Sequence, residues 1–143
     1  MTGVDMPKEA ILCVDDEAII VIAMKQELKS HFGSTYYLET ALSAQEAFVK
    51  IDEMIENGIR LVVIISDWLM PGMKGDEFLR RIHDKYPHVV SILVTGQADA
   101  EAIDRAMRDA KIKACLKKPW RSKDLIAVIE RALVNPLSPG CGG

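Results

Sequence analysis

The sequence predicts an α/β fold, a doubly wound parallel sheet of five strands with five helices on its two faces. Five short apolar or alternating segments each precede a segment of helical periodicity, and this strict alternation is typical of parallel sheets. One of them, Leu61–Ile65, is an unbroken apolar run that leads to Asp67 and a Pro71-Gly72 loop. Such a run predicts a strand buried on both faces, with Asp67 at its carboxyl end.

Length and composition indicate one globular domain. The 143 residues are 49% hydrophobic and 27% charged, a balance that argues against disorder. Lys and Arg number 18 against 21 Asp and Glu, and the net charge of −3 provides no electrostatic footprint for nucleic acid or an anionic membrane. No apolar run approaches the ~20 residues of a membrane span, and no signal-peptide pattern is present, so we expect a cytoplasmic protein.

The first strand is predicted at Ala10–Val14 and ends at Asp15-Asp16-Glu17. Acidic residues suit a helix amino terminus, so a helix is expected from there to about Ser30. The Ile19–Ile22 run favours a strand locally, but the spacing of the surrounding residues fits a two-faced helix. We expect this run to lie in the core, and an exposed part of it would indicate a binding surface.

A second, mixed strand is predicted at Tyr36–Thr40, and Ser43–Glu46 matches a capping box that opens the second helix. That helix ends at Asn57-Gly58, before the strand that carries Asp67. The third helix is predicted from about Asp76 to Tyr86, where Pro87 ends it.

The fourth strand is predicted at Val89–Val94, directly before Thr95-Gly96, and a helix follows from about Asp99 to Asp109. The fifth strand, Ile112–Leu116, alternates and ends at Lys117-Lys118-Pro119. Ser122 can cap a last helix that runs to about Val134. Residues 8–134 therefore form the predicted domain, and the Pro/Gly-rich residues 135–143 form a flexible tail or the start of a linker.

The strand order is predicted from burial. The first, third and fourth strands are nearly continuous apolar runs and belong in the middle of the sheet, whereas the second and fifth carry polar positions and belong at its edges. This pattern predicts the flavodoxin-like order 2-1-3-4-5, with a ligand site between the first and third strands.

Three acidic residues meet at that site. The order places Asp15, Asp16 and Asp67 at neighbouring strand ends, where three carboxylates would repel one another unless a cation neutralised them. Oxygen-only ligands suit Mg²⁺. Thr95 and Lys118 follow the next two strands and add a hydroxyl and an ammonium. The set describes phosphoryl transfer to a carboxylate, with no general base required.

The chain resembles the receiver domain of two-component response regulators over roughly Ala10–Leu133. The matching segments are Val14–Glu17, Ser66–Gly75, Val94–Gly96 and Lys118–Trp120. The resemblance implies a phosphorylation-activated signalling switch that modifies only itself.

The resemblance also implies the roles of the site residues. Asp67 would be the phosphoacceptor, and the Mg²⁺ ligands would be Asp16, Asp67 and the Leu69 backbone carbonyl, with Asp15 acting through a water molecule. Mn²⁺ could replace Mg²⁺. Thr95 and Lys118 would grip the phosphoryl group, and the Lys118–Pro119 peptide bond would be cis.

The implied partners are a sensor histidine kinase or phosphotransfer protein as phosphoryl donor, and an output protein or domain. The output partner would bind the face formed by the fourth helix, the fifth strand and the fifth helix, and a homodimer on phosphorylation is a further expectation. No direct contact with nucleic acid or membrane is expected.

The sequence departs from the family pattern three positions before Lys118. The family often has an aromatic residue there that turns inward on phosphorylation, whereas this chain has Cys115. Leu69 and Gln97 would flank the path of the hydrolytic water.

The three cysteines indicate neither a disulfide framework nor a zinc site, and the apolar surroundings of Cys13 and Cys115 predict buried thiols.

Three alternatives remain open. A metal-dependent phosphohydrolase with an aspartyl-phosphate intermediate would usually need an acid two residues after the nucleophile, where this chain has Leu69. A nucleotide- or flavin-binding domain should have a Gly-rich loop after its first strand, where this chain has Asp15-Asp16-Glu17. A receiver retained only as an interaction module would not need an intact acidic site.

Overall fold

The computed structural model describes residues 7–96 and 100–134, and the backbone of residues 140–141. Strands and helices alternate along the described chain as the sequence predicts. The strands are β1 (Glu9–Val14), β2 (Tyr37–Ala41), β3 (Arg60–Asp67), β4 (Val90–Thr95), β5 (Ala114–Lys117) and β6 (Gly140–Cys141). The helices are α1 (Ala18–Phe32), α2 (Ala44–Glu56), α3 (Gly75–Lys85), α4 (Ala100–Asp109) and α5 (Ser122–Val134).

The sheet has the order β2-β1-β3-β4-β5-β6, and its strand pairs are parallel. The predicted order 2-1-3-4-5 is therefore confirmed, and burial explains it. All six residues of β4 are buried and β1 is buried after its first residue, whereas four of the five residues of β2 are only partly buried. The central positions thus go to the strands whose side chains are apolar on both faces.

Two hydrophobic cores cover the two faces of the sheet. On one face, α1 and α5 pack residues such as Met24, Leu28 and Ile129 against the strands. On the other face, α2, α3 and α4 contribute residues such as Ile51 and Phe78. The sheet is thus covered on both sides, as the doubly wound prediction requires.

A short strand was not predicted. Gly140 and Cys141 pair with Ala114 and Cys115 at the edge of β5, and this two-residue strand is the described part of the segment expected to be a tail or linker. Residues 135–139 and 142–143 lie outside the described part.

Two of the cysteines differ in state. Cys13 is a buried free thiol, as predicted. Cys115 is also buried, but it is disulfide-bonded, so the prediction of a thiol there is wrong. The backbone of Cys141 lies opposite Cys115 in the parallel register.

Side-chain hydrogen bonds form at the starts of α2 and α5. Ser43 accepts a hydrogen bond from the Glu46 N–H at 3.0 Å, which is half of the predicted capping box. The Glu46 carboxylate accepts from the Leu42 N–H at 3.3 Å rather than from the amide of Ser43. Ser122 is the first residue of α5, and its hydroxyl donates to Glu27 of α1.

The Ile19–Ile22 run is helical, but it divides between core and surface. Val21 is 2% exposed, whereas Ile19 and Ile22 are 73% and 53% exposed. The expectation that the whole run lies in the core is therefore wrong. Two large apolar side chains on the first turns of α1 stand in solvent, directly after the acidic Asp15-Asp16 pair.

Candidate phosphoryl-transfer site

The acidic residues meet at the carboxyl edge of the sheet. β1 ends at Val14 and β3 ends at Asp67, and the two strands are paired, so both chains reach this edge side by side. Carboxylate oxygens of Asp15, Asp16 and Asp67 lie within 4.8 Å of one another. Asp15 is fully buried and Asp67 nearly so, whereas Asp16 is exposed. The cluster therefore opens to solvent through Asp16.

Lys118 is the cation of the site. Its ammonium donates to Asp15 Oδ2 at 2.9 Å and lies 3.0 Å from Asp67 Oδ1. The Lys118–Pro119 peptide bond is cis, as the resemblance implied. One lysine thus faces two of the three carboxylates, which leaves the cluster with net negative charge.

The protonation of Asp67 and Lys118 follows from these contacts. Burial raises the pKa of the Asp67 carboxyl; the hydrogen bond from Lys118 works against this, and the charge of Asp15 adds to it. Burial works to lower the pKa of Lys118, but its hydrogen bonds to Asp15 and Asp67 outweigh burial and the pKa is raised. The lysine therefore stays positively charged at neutral pH.

Thr95 and the loops complete the edge. Thr95 ends β4 and is fully buried, and its carbonyl oxygen accepts the Lys118 N–H at 2.9 Å. On the other side, the Trp68 N–H donates to the Val94 carbonyl at 2.9 Å. Backbone hydrogen bonds thus join the ends of β3, β4 and β5. Leu69 lies in the loop after β3 with 47% of its surface exposed, and Gln97 lies outside the described residues.

Asp15 has a structural contact besides its place in the site. Its Oδ1 accepts the Glu17 N–H at 2.9 Å, and its own N–H donates to the Ala41 carbonyl of β2 at 3.2 Å. These bonds hold the loop between β1 and α1 in place. The loop therefore presents Asp15 and Asp16 in a fixed arrangement.

Gly75 is a site residue that the sequence reasoning missed. A Cβ built on Gly75 would lie 1.9 Å from the Asp67 carbonyl oxygen and 3.1 Å from Trp68 Cα. The Gly75 N–H also donates to the Trp68 carbonyl at 2.8 Å. The amino terminus of α3 thus rests directly on the backbone of Asp67. The available signal was a glycine directly before the predicted start of the third helix at about Asp76.

The donor set fits a hard divalent cation. All the side-chain ligands are carboxylate oxygens, two of them contributed by residues next to each other in sequence and one by the neighbouring strand. Mg²⁺ takes one or two carboxylates and keeps several waters, and the exposed Asp16 leaves such a cation open to solvent. The fold therefore brings three carboxylates that could hold a metal ion, together with a lysine, to one edge of the sheet.

The chain matches a known family and known relatives. Residues 11–130 match the model of the response regulator receiver domain. The hydrogenase transcriptional regulatory protein HoxA of Cupriavidus necator is 31% identical over 123 residues, which cover 86% of this chain and 24% of HoxA. The transcriptional regulatory protein FixJ of Rhizobium meliloti is 33% identical over 87 residues, 61% of this chain and 40% of FixJ. The chain thus spans less than half the length of these curated relatives.

Solved structures agree with this assignment. The signal receiver domain of an HD domain-containing protein from Pseudomonas fluorescens Pf-5 has a TM-score of 0.77 at 30% identity, with 94% of this chain and 93% of that chain covered. A CheY-like response regulator receiver domain protein from Methanospirillum hungatei JF-1 has a TM-score of 0.77 at 31% identity, with 90% and 95% covered. The family match covers most of this chain, and the structural likeness extends over nearly the whole of both neighbours. The chain therefore belongs to the response regulator receiver domain family.

Proposed function

We propose that Asp67 is the phosphoacceptor of this receiver domain, a phosphorylation-activated switch. One observation carries the assignment: Asp67 lies beside both a charged lysine at 3.0 Å and two further carboxylates within 4.8 Å. An ionised carboxylate is a sufficient nucleophile, and the paired charges around it suit a transferring phosphoryl group. Phosphorylation would exchange a single negative charge at Asp67 for a larger one, which is the physical signal of the switch.

The cation proposed for this reaction is Mg²⁺, with Mn²⁺ as a substitute. Asp16, Asp67 and the Leu69 carbonyl would hold it directly, and Asp15 would hold it through water. A bound divalent cation supplies positive charge that offsets repulsion between the incoming phosphoryl oxygens and the carboxylates. Because Lys118 already balances part of the negative charge, the cation and the lysine would share this task.

The proposed transfer step uses Asp67, Lys118 and Thr95. A carboxylate oxygen of Asp67 attacks phosphorus, a new O–P bond forms, and the P–N bond to the donor histidine breaks, leaving its imidazole. Lys118 stabilises the charge on the phosphoryl oxygens, and the Thr95 hydroxyl binds one of them. Each group lies at the end of a rigid strand, so little reorganisation accompanies the step.

Receiver domains of this family work with sensor kinases and output domains. The chain is also similar to a part of the sensor kinase CckA of Brucella abortus. For contact with the donor we propose three exposed apolar side chains beside the acidic cluster, Ile19, Ile22 and Leu69, which we call the donor patch. These side chains are 73%, 53% and 47% exposed and belong to the α1 start and the β3–α3 loop, both next to the acidic cluster. A donor that buries them would bring its phosphohistidine to Asp67.

For the output partner we propose the face of α4, β5 and α5. The hydrogen bond between the Lys118 N–H and the Thr95 carbonyl joins this face to the site. A cytoplasmic location and a homodimer formed on phosphorylation remain predictions of the sequence. The structure has no described helix long and apolar enough to cross a membrane.

The proposal is tested by incubating the protein with acetyl phosphate and Mg²⁺. We expect mass spectrometry to find one added phosphoryl group in the wild type, no addition in Asp67→Asn, and full addition in Asp104→Asn, an exposed aspartate on α4 that serves as the matched control. Labelling of Asp67→Asn at the wild-type level would disprove the assignment.

The phosphohydrolase alternative finds no support at the position that would carry its acid. Leu69 stands two residues after Asp67 and its side chain cannot transfer a proton. We therefore propose that the chain catalyses only its own phosphorylation and dephosphorylation. A steady turnover of p-nitrophenyl phosphate that Asp67→Asn abolishes would contradict this proposal.

A further inference from the structure

Glu27 joins α1 to the loop that follows Lys118. Both oxygens of its carboxylate accept the indole N–H of Trp120, at 3.2 and 3.1 Å. The hydroxyl of Ser122, the first residue of α5, also donates to Glu27. One side chain on α1 therefore binds two residues that stand two and four positions after the lysine of the site.

The loop is fixed on both sides of the lysine. On the strand side, the Lys118 N–H donates to the Thr95 carbonyl at 2.9 Å. On the helix side, the Trp120 ring packs against the α1–α5 core, and Glu27 holds its N–H. Hydrophobic packing alone does not set the rotation of an indole ring, whereas a hydrogen bond to a carboxylate gives it one direction.

This fixation matters because lysine is a flexible side chain. A free lysine side chain loses rotamer entropy when it is held in one conformation. The Lys118 ammonium must nevertheless meet Asp15 at 2.9 Å and Asp67 at 3.0 Å at the same time. A small shift of the Lys118 backbone would lengthen both contacts. The position of the loop therefore determines the position of the Lys118 ammonium.

We propose that Glu27 is a positioning residue for phosphoryl transfer, which acts by holding the Lys118 loop through Trp120 and Ser122. The inference rests on the proposed function of Asp67 and Lys118. Among the described residues, the side-chain hydrogen bonds of Glu27 go to Trp120 and Ser122 and not to the acidic cluster. Its effect on the reaction must therefore disappear when Lys118 is absent.

The test measures the rate of Asp67 phosphorylation by phosphoramidate with saturating Mg²⁺. Glu27→Ala and Trp120→Phe each remove the hydrogen bond, and the phenylalanine keeps a ring for packing. We expect each to slow phosphorylation by about fivefold to tenfold, less than the full loss of a hydrogen bond to a charged group, because the remaining contacts still hold the loop in part. Glu27→Gln keeps an acceptor oxygen and should recover most of the rate.

The matched control is Glu130→Ala. Glu130 on α5 pairs with His31 on α1 at 3.2 Å, so this change breaks another contact between the same two helices without touching the loop. We expect the Glu130→Ala rate to equal the wild-type rate. A rate lowered as much as in Glu27→Ala would mean that helix packing in general is responsible, and the inference would be wrong.

A double variant separates positioning from structure. In a Lys118→Ala background, Glu27→Ala should not slow the reaction further, because it acts through the lysine. An equal loss in both backgrounds, or a wild-type rate in Glu27→Ala and Trp120→Phe, overturns the inference while the assignment of Asp67 stands. Absence of any Asp67 labelling in the wild type would instead refute the proposed function, and the inference with it. If Glu27→Ala does not fold, Trp120→Phe decides the question alone.

Discussion

Gly75 provides the sharpest test of how the site is built, because its substitution by alanine should harm stability and activity together. A methyl group at Gly75 would stand 1.9 Å from the Asp67 carbonyl oxygen. Carbon atoms approach carbonyl oxygens to about 3.3 Å, so the start of α3 and the end of β3 would have to separate by roughly 1.4 Å. The new methyl group would clash with the Asp67 backbone, which cannot rotate away as a long side chain could.

The expected free-energy change comes from two opposing effects. Overpacking of this kind costs about 1–3 kcal/mol, whereas replacing glycine by alanine in a helix ordinarily gains about 0.5–1 kcal/mol. The steric effect is larger, so we expect Gly75→Ala to lower the free energy of unfolding by about 1–2 kcal/mol in urea titrations. Because the displaced atoms belong to the proposed phosphoacceptor, we also expect phosphorylation by acetyl phosphate to fall.

Gly96→Ala is the control, since a Cβ there meets nothing within 4 Å. It should leave the free energy of unfolding within about 0.5 kcal/mol of the wild type, as an uncrowded surface substitution does. If Gly75→Ala were as stable as the wild type and equally active, the close contact between α3 and Asp67 would be wrong.

Three further predictions concern the cation, the donor patch and the buried thiol. Mg²⁺ should stabilise the fold by about 2.7 kcal/mol at a concentration one hundred times its dissociation constant, and thermal denaturation of Asp16→Asn should show most of this gain lost. Ile22→Asp should slow transfer from a histidine-phosphorylated donor protein while leaving phosphorylation by acetyl phosphate unchanged; a slowing of both would place Ile22 outside the donor patch. Burial raises the pKa of the Cys13 thiol to about 12, against a small opposing effect of Lys25, so at pH 8 it stays protonated and iodoacetamide should modify it only after unfolding. Modification of folded protein at the rate of a free thiol would contradict that burial.

The fold and the acidic cluster could be predicted because both depend on regular patterns. Apolar runs identify strands, and parallel strands end at the same edge of a sheet, so residues that directly follow strands must come together. Asp15, Asp67 and Lys118 are far apart in sequence, yet this rule alone places them side by side. The close contacts of 2.9 and 3.0 Å are a consequence of that common edge.

Contacts between helices and loops follow no such rule. Glu27 and Trp120 are separated by 93 positions, and neither lies at a strand end. In the sequence, Glu27 is one acidic residue among several on a predicted helix. No sequence pattern therefore predicts its hydrogen bond to Trp120 in the loop after Lys118. The exposure of Ile19 and Ile22 was missed for a related reason: their β-branched character favours burial, but the orientation of α1 against the sheet decides which side of the helix is covered.

A path from Asp67 to the proposed output face must differ from an aromatic swing. Cys115 occupies the position where such a ring would stand, and it is fully buried, disulfide-bonded and paired with Leu93 of β4. A residue fixed in this way cannot alternate between inward and outward rotamers. The backbone offers a continuous connection instead, from the Trp68 N–H to Val94 and from the Lys118 N–H to Thr95, each at 2.9 Å. A charge change at Asp67 that pulled on Lys118 would therefore act on β5 through its main chain, and we expect β5 to shift together with the β6 strand paired to it.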